Sequence, residues 1–212
     1  MEYRSTEPRL STYLHARACE KGIPLAGNFE LTPRCNFNCR MCYVHLTPEE
    51  EQRRGTELTA DEWLAIAEQE RSQGMLFLLL TGGEPLIRAD FRYLLTELKK
   101  MGLMVSINSN ASLIDADWLD FFRHEPPARF NITLYGSSNE TYERLCGRPM
   151  FERVMANIRA LKALGMDVKL NVSMTPYNVD DLDGIYAAAT ELGTPVQMAS
   201  YMFPPVRRDE HA

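Results

Sequence analysis

Three of the five cysteines in this chain of 212 residues lie within a stretch of eight, as Cys35, Cys39 and Cys42. Thiolates spaced C-x3-C-x2-C, in a chain without an export signal, are more often metal ligands than disulfide partners. Iron–sulfur clusters usually take four cysteines, so three would leave one iron open to another ligand. The spacing therefore favours an iron–sulfur cluster with an open iron.

Two alternatives remain open on spacing alone. His45 follows Cys42 by three residues and could complete a closed Cys3His zinc site. The three thiols could also be unliganded. The other two cysteines carry no ligand pattern: Cys19 lies near the apolar side of a predicted helix and Cys146 in a helix–loop segment, and both are interpreted as structural.

A second motif, Gly82-Gly83-Glu84-Pro85, follows a strongly apolar stretch at 76–80. Paired glycines let a backbone approach a ligand closely, and exposed peptide groups there could bind an ammonium or a carboxylate group. Glu84 could accept a hydrogen bond from an amine. The alternative is a tight turn in which the glutamate begins a helix.

Composition narrows the class of partner. Net charge is -6, from 23 basic and 29 acidic residues, which argues against nucleic-acid binding through phosphate contacts. No apolar run approaches the about 18 residues of a membrane span, and the first ten residues hold no apolar signal segment. We therefore expect a cytoplasmic protein with no nucleic-acid or membrane partner.

Apolar stretches alternate with helical patterns along the chain, which predicts a parallel α/β fold. The predicted strands are 28–31, 76–80, 103–107, 130–134, 168–174 and 195–202. The predicted helices are 8–21, 60–73, 89–101, 115–123, 139–145, 151–164 and 179–192, with an exposed loop at 45–55. Each strand becomes polar only at its carboxyl end, where barrel enzymes build their sites. The pattern favours a barrel or partial barrel over an open doubly wound sheet.

The cysteine motif after the first strand and Gly-Gly-Glu-Pro after the second together resemble the radical S-adenosylmethionine (radical SAM) superfamily, over about 28–204. The resemblance implies an open, partial (β/α)6 TIM-like barrel at 28–204. Residues 1–27 would be a helical lead-in, and 205–212 the start of a C-terminal linker or truncated extension. It also implies a [4Fe-4S] cluster on Cys35, Cys39 and Cys42, with S-adenosylmethionine (SAM) chelating the open iron.

The same resemblance implies which residues contact SAM. They lie at strand ends and in the cysteine loop: Thr81, Gly82, Gly83, Glu84, Asn108, Asn110, Thr133, Asn171, Ser173, Tyr201, Met41 and Tyr43. The segment Thr81 to Glu84 would surround the methionine amino group, and Tyr201 or Met202 would lie near the adenine. Met41 stands where the family commonly has an aromatic residue against the adenine, so Tyr43 is expected to share that contact.

The segment from Tyr142 to Phe151 resembles a narrower branch, the peptide-modifying SPASM or twitch proteins. This implies a 5′-deoxyadenosyl radical that abstracts hydrogen from a peptide or protein, and an external one-electron donor of the flavodoxin or ferredoxin type. A small-molecule substrate and a non-catalytic zinc- or cluster-binding module are the alternatives. No cysteine follows Cys146, so we expect that an extension carrying auxiliary clusters has been truncated or is missing.

Overall fold

Six parallel strands form one open sheet in the computed structural model, which describes residues 10–200. The strands are β1 (Ala26–Glu30), β2 (Phe77–Thr81), β3 (Met104–Ser109), β4 (Arg129–Thr133), β5 (Val168–Ser173) and β6 (Val196–Ala199). Their order in the sheet is their order in the chain, and each pairs in parallel with the next. The predicted α/β partial barrel of six strands is confirmed.

Helices connect the strands as the alternating pattern predicts. They are α1 (Leu10–Lys21), α2 (Pro48–Arg54), α3 (Ala60–Ser72), α4 (Phe91–Lys100), α5 (Ala116–His124), α6 (Asn139–Cys146), α7 (Phe151–Ala163) and α8 (Leu182–Glu191). Short 3-10 turns at Pro85–Ile87 and Val179–Asp181 precede α4 and α8. The predicted start of the first helix, the residues beyond 200 and the segment 205–212 lie outside the described residues.

Two predictions about local structure are wrong. The stretch 45–55 is not all loop, because α2 begins after Thr47, whose side chain and that of Glu50 cap each other's backbone N–H groups. Cys19 is exposed rather than buried. Among the residues of α1 only Ala18 is buried and Leu14 half-buried, so this helix packs through part of its apolar side, while Tyr13 is 53% exposed.

The two faces of the sheet differ in chemistry because successive strand residues point to opposite sides. One face is buried and apolar, formed by Leu78, Leu80, Val105, Ile107, Phe130, Ile132, Leu170 and Val172. The other face carries partly exposed polar side chains: Ser106, Asn108, Asn131, Thr133, Lys169, Asn171 and Ser173. A polar inner face and an apolar, helix-packed outer face suit a barrel that binds a polar ligand inside. Within residues 10–200, none of the helices combines the length and apolarity needed to cross a bilayer.

Arg88 is a buried cation that joins the end of β1 to the segment before α3. Its guanidinium donates to the carbonyl oxygens of Leu31 and Leu58, both at 2.9 Å. It also pairs with Asp90 at 2.7 Å, and this contact holds the pKa of Asp90 below its usual range. Only 4% of the Arg88 side chain is exposed. The contacts fix the strand end from which the cysteine loop departs.

Replacing Arg88 with methionine should lower the free energy of unfolding by about 3 kcal/mol, because a partly buried carboxylate and two carbonyl groups lose their partner. The control is Arg129→Met, since both partners of the Arg129–Asp167 pair are about half exposed. That change should lower the free energy of unfolding by less than about 1 kcal/mol. Urea denaturation of both variants measures the difference, and equal losses would contradict this account of Arg88.

Candidate cofactor site

A cavity of about 260 Å³ opens at the carboxyl ends of the strands. Its lining consists of Cys35, Phe37, Cys39, Met41, Cys42, Tyr43, Val44, Thr81, Gly82, Gly83, Asn108, Ser109, Asn110, Thr133, Tyr135, Asn171 and Ser173. The fold thus brings together all the site residues predicted within the described part of the chain, except Glu84. Tyr201 lies outside the described residues.

The Gly-Gly turn is packed against the chain that leads into the cysteine loop. The N–H of Gly83 donates to the carbonyl of Thr32 at 2.7 Å, and that of Glu84 to the carbonyl of Arg34 at 2.9 Å. A Cβ atom on Gly83 would overlap the carbonyl oxygen of Arg34, and Gly82 has a φ of +142°. Both positions therefore require glycine for contacts within the protein, in addition to any approach of a ligand.

Glu84 differs from its prediction, because its side chain turns away from the cavity and is fully buried. The carboxylate accepts hydrogen bonds from the hydroxyl of Ser109 (2.9 Å) and the N–H groups of Asn110 (2.8 Å) and Leu86 (3.2 Å). Burial raises its pKa to about 7, against the opposing effect of those bonds. Glu84 thereby joins the turn after β2 to the loop after β3, and it is not among the residues that line the cavity.

Asparagine side chains form much of the polar lining. Asn110 donates to the side-chain oxygen of Asn36 at 2.9 Å and lies 3.8 Å from the sulfur of Cys35. The amide oxygens of Asn108 and Asn171 are buried without a hydrogen-bond partner among the described residues. Buried acceptors are nearly always satisfied, so these two oxygens indicate a ligand that supplies N–H or O–H donors.

Backbone hydrogen bonds join the cysteine loop to the last turn of α6. The N–H groups of Asn38 and Arg40, on either side of Cys39, donate to the carbonyls of Cys146 (3.1 Å) and Leu145 (3.0 Å). The thiol of Cys146 is fully buried, and its contact with Cys39, together with burial, strongly raises its pKa. Sequence reasoning did not place Cys146 beside the cysteine motif, because only the packing of α6 brings them together.

Tyr135 is a lining residue that sequence reasoning did not assign to the cofactor. Burial, and then the neighbouring cysteines, raise its pKa well above the usual value, so its hydroxyl stays protonated. Its ring packs edge-on against Phe37 of the cysteine loop, with centroids 6.1 Å apart. The sequence did contain a clue to this position. Tyr135 lies two residues after Thr133, and residues two apart along a strand point to the same face of the sheet.

The geometry favours a cluster over a zinc ion. A zinc site would gather four ligands around one ion, whereas each cysteine of a cluster binds a different iron. His45 does not line the cavity that Cys35, Cys39 and Cys42 border, so the fourth ligand that a Cys3His zinc site needs is not among the residues lining that cavity. Burial raises the pKa of Cys35 to about 12, so iron binding there would release a proton.

Comparison with known proteins agrees with this site. Residues 29–189, most of the described chain, match the family described as the radical SAM superfamily. The chain belongs to the radical SAM superfamily. Members of this superfamily use a [4Fe-4S] cluster and SAM.

Individual relatives show the extent of the likeness. An AdoMet-dependent heme synthase of Methanosarcina barkeri is 29% identical over 183 residues, which is 86% of this chain and 52% of that protein. SuiB of Streptococcus suis, in a structure with its precursor peptide SuiA, superposes with a TM-score of 0.72 at 20% identity, covering 93% of this chain and 46% of that one. The enzyme anSMEcpe, with bound AdoMet and Kp18Cys peptide, gives 0.66 at 19% identity, covering 82% and 50%. This radical SAM chain thus spans about half the length of the relatives it matches.

Proposed function

We propose that this chain is the core of a radical SAM enzyme that modifies a peptide or protein. The observation that carries the proposal is the cavity itself, which is lined both by three cysteines from one loop and by two asparagines whose buried amide oxygens lack a partner within residues 10–200. Cys35, Cys39 and Cys42 would hold the [4Fe-4S] cluster. When bound, the cluster and SAM supply a one-electron cleavage of the sulfonium bond, giving methionine and a 5′-deoxyadenosyl radical that abstracts hydrogen from the substrate.

The chain's own residues would bind and orient the cofactors. The backbone at Thr81, Gly82 and Gly83 borders the cavity next to the thiols and is suited to the methionine end of SAM. Asn108 and Asn171 would accept hydrogen bonds from the ligand's amine or hydroxyl groups, and polar side chains beside them complete the inner wall. Those side chains are Asn110, Thr133 and Ser173. Met41 and Tyr43 would contact the adenine.

The peptide substrate is supported by two observations. The solved structures that resemble this chain include SuiB and anSMEcpe with bound peptides, although at 20% and 19% identity. The segment from Tyr142 to Phe151, which resembles peptide-modifying proteins, forms most of α6 and leads into α7 behind the cysteine loop. A small-molecule substrate is the second candidate, favoured by the 29% identity to a heme synthase.

The proposed reaction also needs an electron donor and a reducing environment. An external flavodoxin- or ferredoxin-type protein would supply one electron per cleavage. None of the five cysteines, all within residues 10–200, forms a disulfide, which suits a reducing compartment such as the cytoplasm. Nucleic acid and membrane are not part of the proposed reaction.

The test is SAM cleavage after anaerobic reconstitution with iron and sulfide, reduction with dithionite and chromatography for 5′-deoxyadenosine. Cys39→Ala should lower both the iron content and the yield of 5′-deoxyadenosine, the latter by more than about 100-fold. The matched control is Cys19→Ala, because Cys19 is an exposed thiol on α1 and should leave both values unchanged. A colourless wild-type protein with stoichiometric zinc would overturn the proposal.

A further inference from the structure

The three cysteines of the motif differ in which groups donate hydrogen bonds to their sulfur atoms. The sulfur of Cys35 accepts from the backbone N–H of Phe37 at 3.4 Å, and that of Cys42 from the backbone N–H of His45 at 3.2 Å. Both outer cysteines are thus served by an N–H group two or three residues later in the chain. The middle cysteine, Cys39, has a different arrangement.

The backbone that follows Cys39 donates to carbonyl oxygens. The N–H of Arg40 is bonded to the carbonyl of Leu145 at 3.0 Å, and the N–H of Cys42 to the carbonyl of Cys39 itself at 3.0 Å. Two of the three N–H groups after Cys39 are therefore engaged away from its sulfur. Because Cys39 is only 6% exposed, water also has little access, which leaves side chains as the main source of donors.

Two side chains stand where such donors are needed. The hydroxyl of Tyr135 and the thiol of Cys146 both lie within hydrogen-bonding reach of the sulfur of Cys39. Cys146 is fully buried in the last turn of α6. The ring of Tyr135 packs edge-on against the rings of Phe37 and Tyr142, with centroids 6.1 and 5.7 Å away. Both groups are therefore held in place by packing.

Binding of iron would fix the direction of these hydrogen bonds. A hydroxyl or a thiol can donate or accept, whereas a thiolate bound to iron can only accept. Tyr135 and Cys146 would therefore both donate to Cys39. A reduced cluster carries one more negative charge than an oxidised one, so donors at a ligand sulfur stabilise the reduced form and raise the reduction potential.

We propose that Tyr135 and Cys146 are positioning residues that donate hydrogen bonds to the sulfur of Cys39 and thereby raise the reduction potential of the cluster. The inference rests on the proposed function, because it requires a cluster on the three cysteines. The process affected is the uptake of one electron from an external reductant, in which no bond forms or breaks.

The test is an anaerobic redox titration of the reconstituted protein without SAM, in which electron paramagnetic resonance measures the reduced cluster. Tyr135→Phe should move the midpoint potential to a more negative value, because the ring stays and only the donor is lost. At a fixed potential the ratio of reduced to oxidised cluster should fall on the order of tenfold, which is about 59 mV for one electron. Tyr93→Phe is the control, since Tyr93 is 50% exposed on α4 and bonded to Asp61, and its midpoint should not move.

Two variants of Cys146 separate donation from packing. Cys146→Ala should move the midpoint in the same direction by a smaller amount, because a thiol is a weak donor. Cys146→Ser keeps a donor, so its midpoint should lie closer to that of the wild type than the midpoint of Cys146→Ala. A role in packing alone would lower the iron content or the free energy of unfolding and leave the midpoint of the bound cluster in place.

Unchanged midpoints in Tyr135→Phe and Cys146→Ala, at full iron content, would overturn the proposal. Equal shifts in the two Cys146 variants would overturn the role of Cys146. Because the titration needs no turnover, a cluster that shows the expected shifts but does not cleave SAM would count against the proposed function alone. A wild-type protein that binds no cluster would overturn both.

Discussion

Gly83→Ala is expected to lower the free energy of unfolding by about 3 kcal/mol and to reduce the iron that the protein binds on reconstitution. The added Cβ atom would overlap the carbonyl oxygen of Arg34 and lie 2.7 Å from its carbon. Backbone atoms cannot move aside as a side chain can, so either the Gly-Gly turn or the chain leading to Cys35 must shift. The expected damage is to the position of the cysteine loop.

A matched substitution separates this overlap from the general effect of replacing glycine. Gly27 in β1 likewise has no positive φ, and its added Cβ would lie 2.6 Å from the sulfur of Met75. That sulfur belongs to a flexible side chain, which can adopt another rotamer at a cost of less than about 1 kcal/mol. Urea denaturation and iron analysis of both variants make the comparison. Full iron binding by Gly83→Ala would show that the turn does not position the loop.

Much of the fold could be predicted because its regularities are local. Six apolar strands, the first five each followed by a helical pattern, leave few parallel arrangements, and the polar residues after each strand must then meet at one edge. The cysteines, Asn108, Thr133 and Asn171 lie together for that reason. The boundaries of the elements were less certain, and the predicted strand at 76–80 is observed as Phe77–Thr81.

The errors have physical causes that no single stretch of sequence reveals. Glu84 resembled a ligand-binding group, but the conformation of the turn after Gly82 directs its side chain to Ser109 and Asn110. The charged helix α2 has no apolar periodicity, and only the Thr47–Glu50 capping box indicated it. The nearness of Cys146 to Cys39 depends on the packing of α6, which is a tertiary effect. It was therefore easier to predict which polar residues lie near the site than to predict where their side chains point.

The second prediction with a large expected effect concerns how the buried carboxyl group of Glu84 makes the free energy of unfolding depend on pH. Its ordinary pKa of 4.5 is raised to about 7 in the folded chain, chiefly by burial. A raised pKa means that the unfolded state loses its proton first, so stability from this group is complete below about pH 4.5 and is lost as the pH rises through about 7. The difference between the two pKa values corresponds to about 3 kcal/mol.

Glu84→Gln removes this titration, so urea denaturation of the iron-free protein at pH 5 and pH 8 tests it. Relative to the wild type, the variant should gain about 2.5 kcal/mol between the two values, because a small part of the effect is already present at pH 5. At pH 5 it should be less stable by about 1 kcal/mol or more, because its amide group faces a backbone N–H that lost an acceptor. Glu62→Gln is the control, since hydrogen bonds from Thr59 lower the pKa of Glu62, so this group is ionised in both states throughout the range and its difference from the wild type should not change between pH 5 and pH 8. A pH-independent difference for Glu84→Gln would mean that the carboxyl group is already ionised at pH 5 in the folded chain, and that its three hydrogen bonds outweigh its burial.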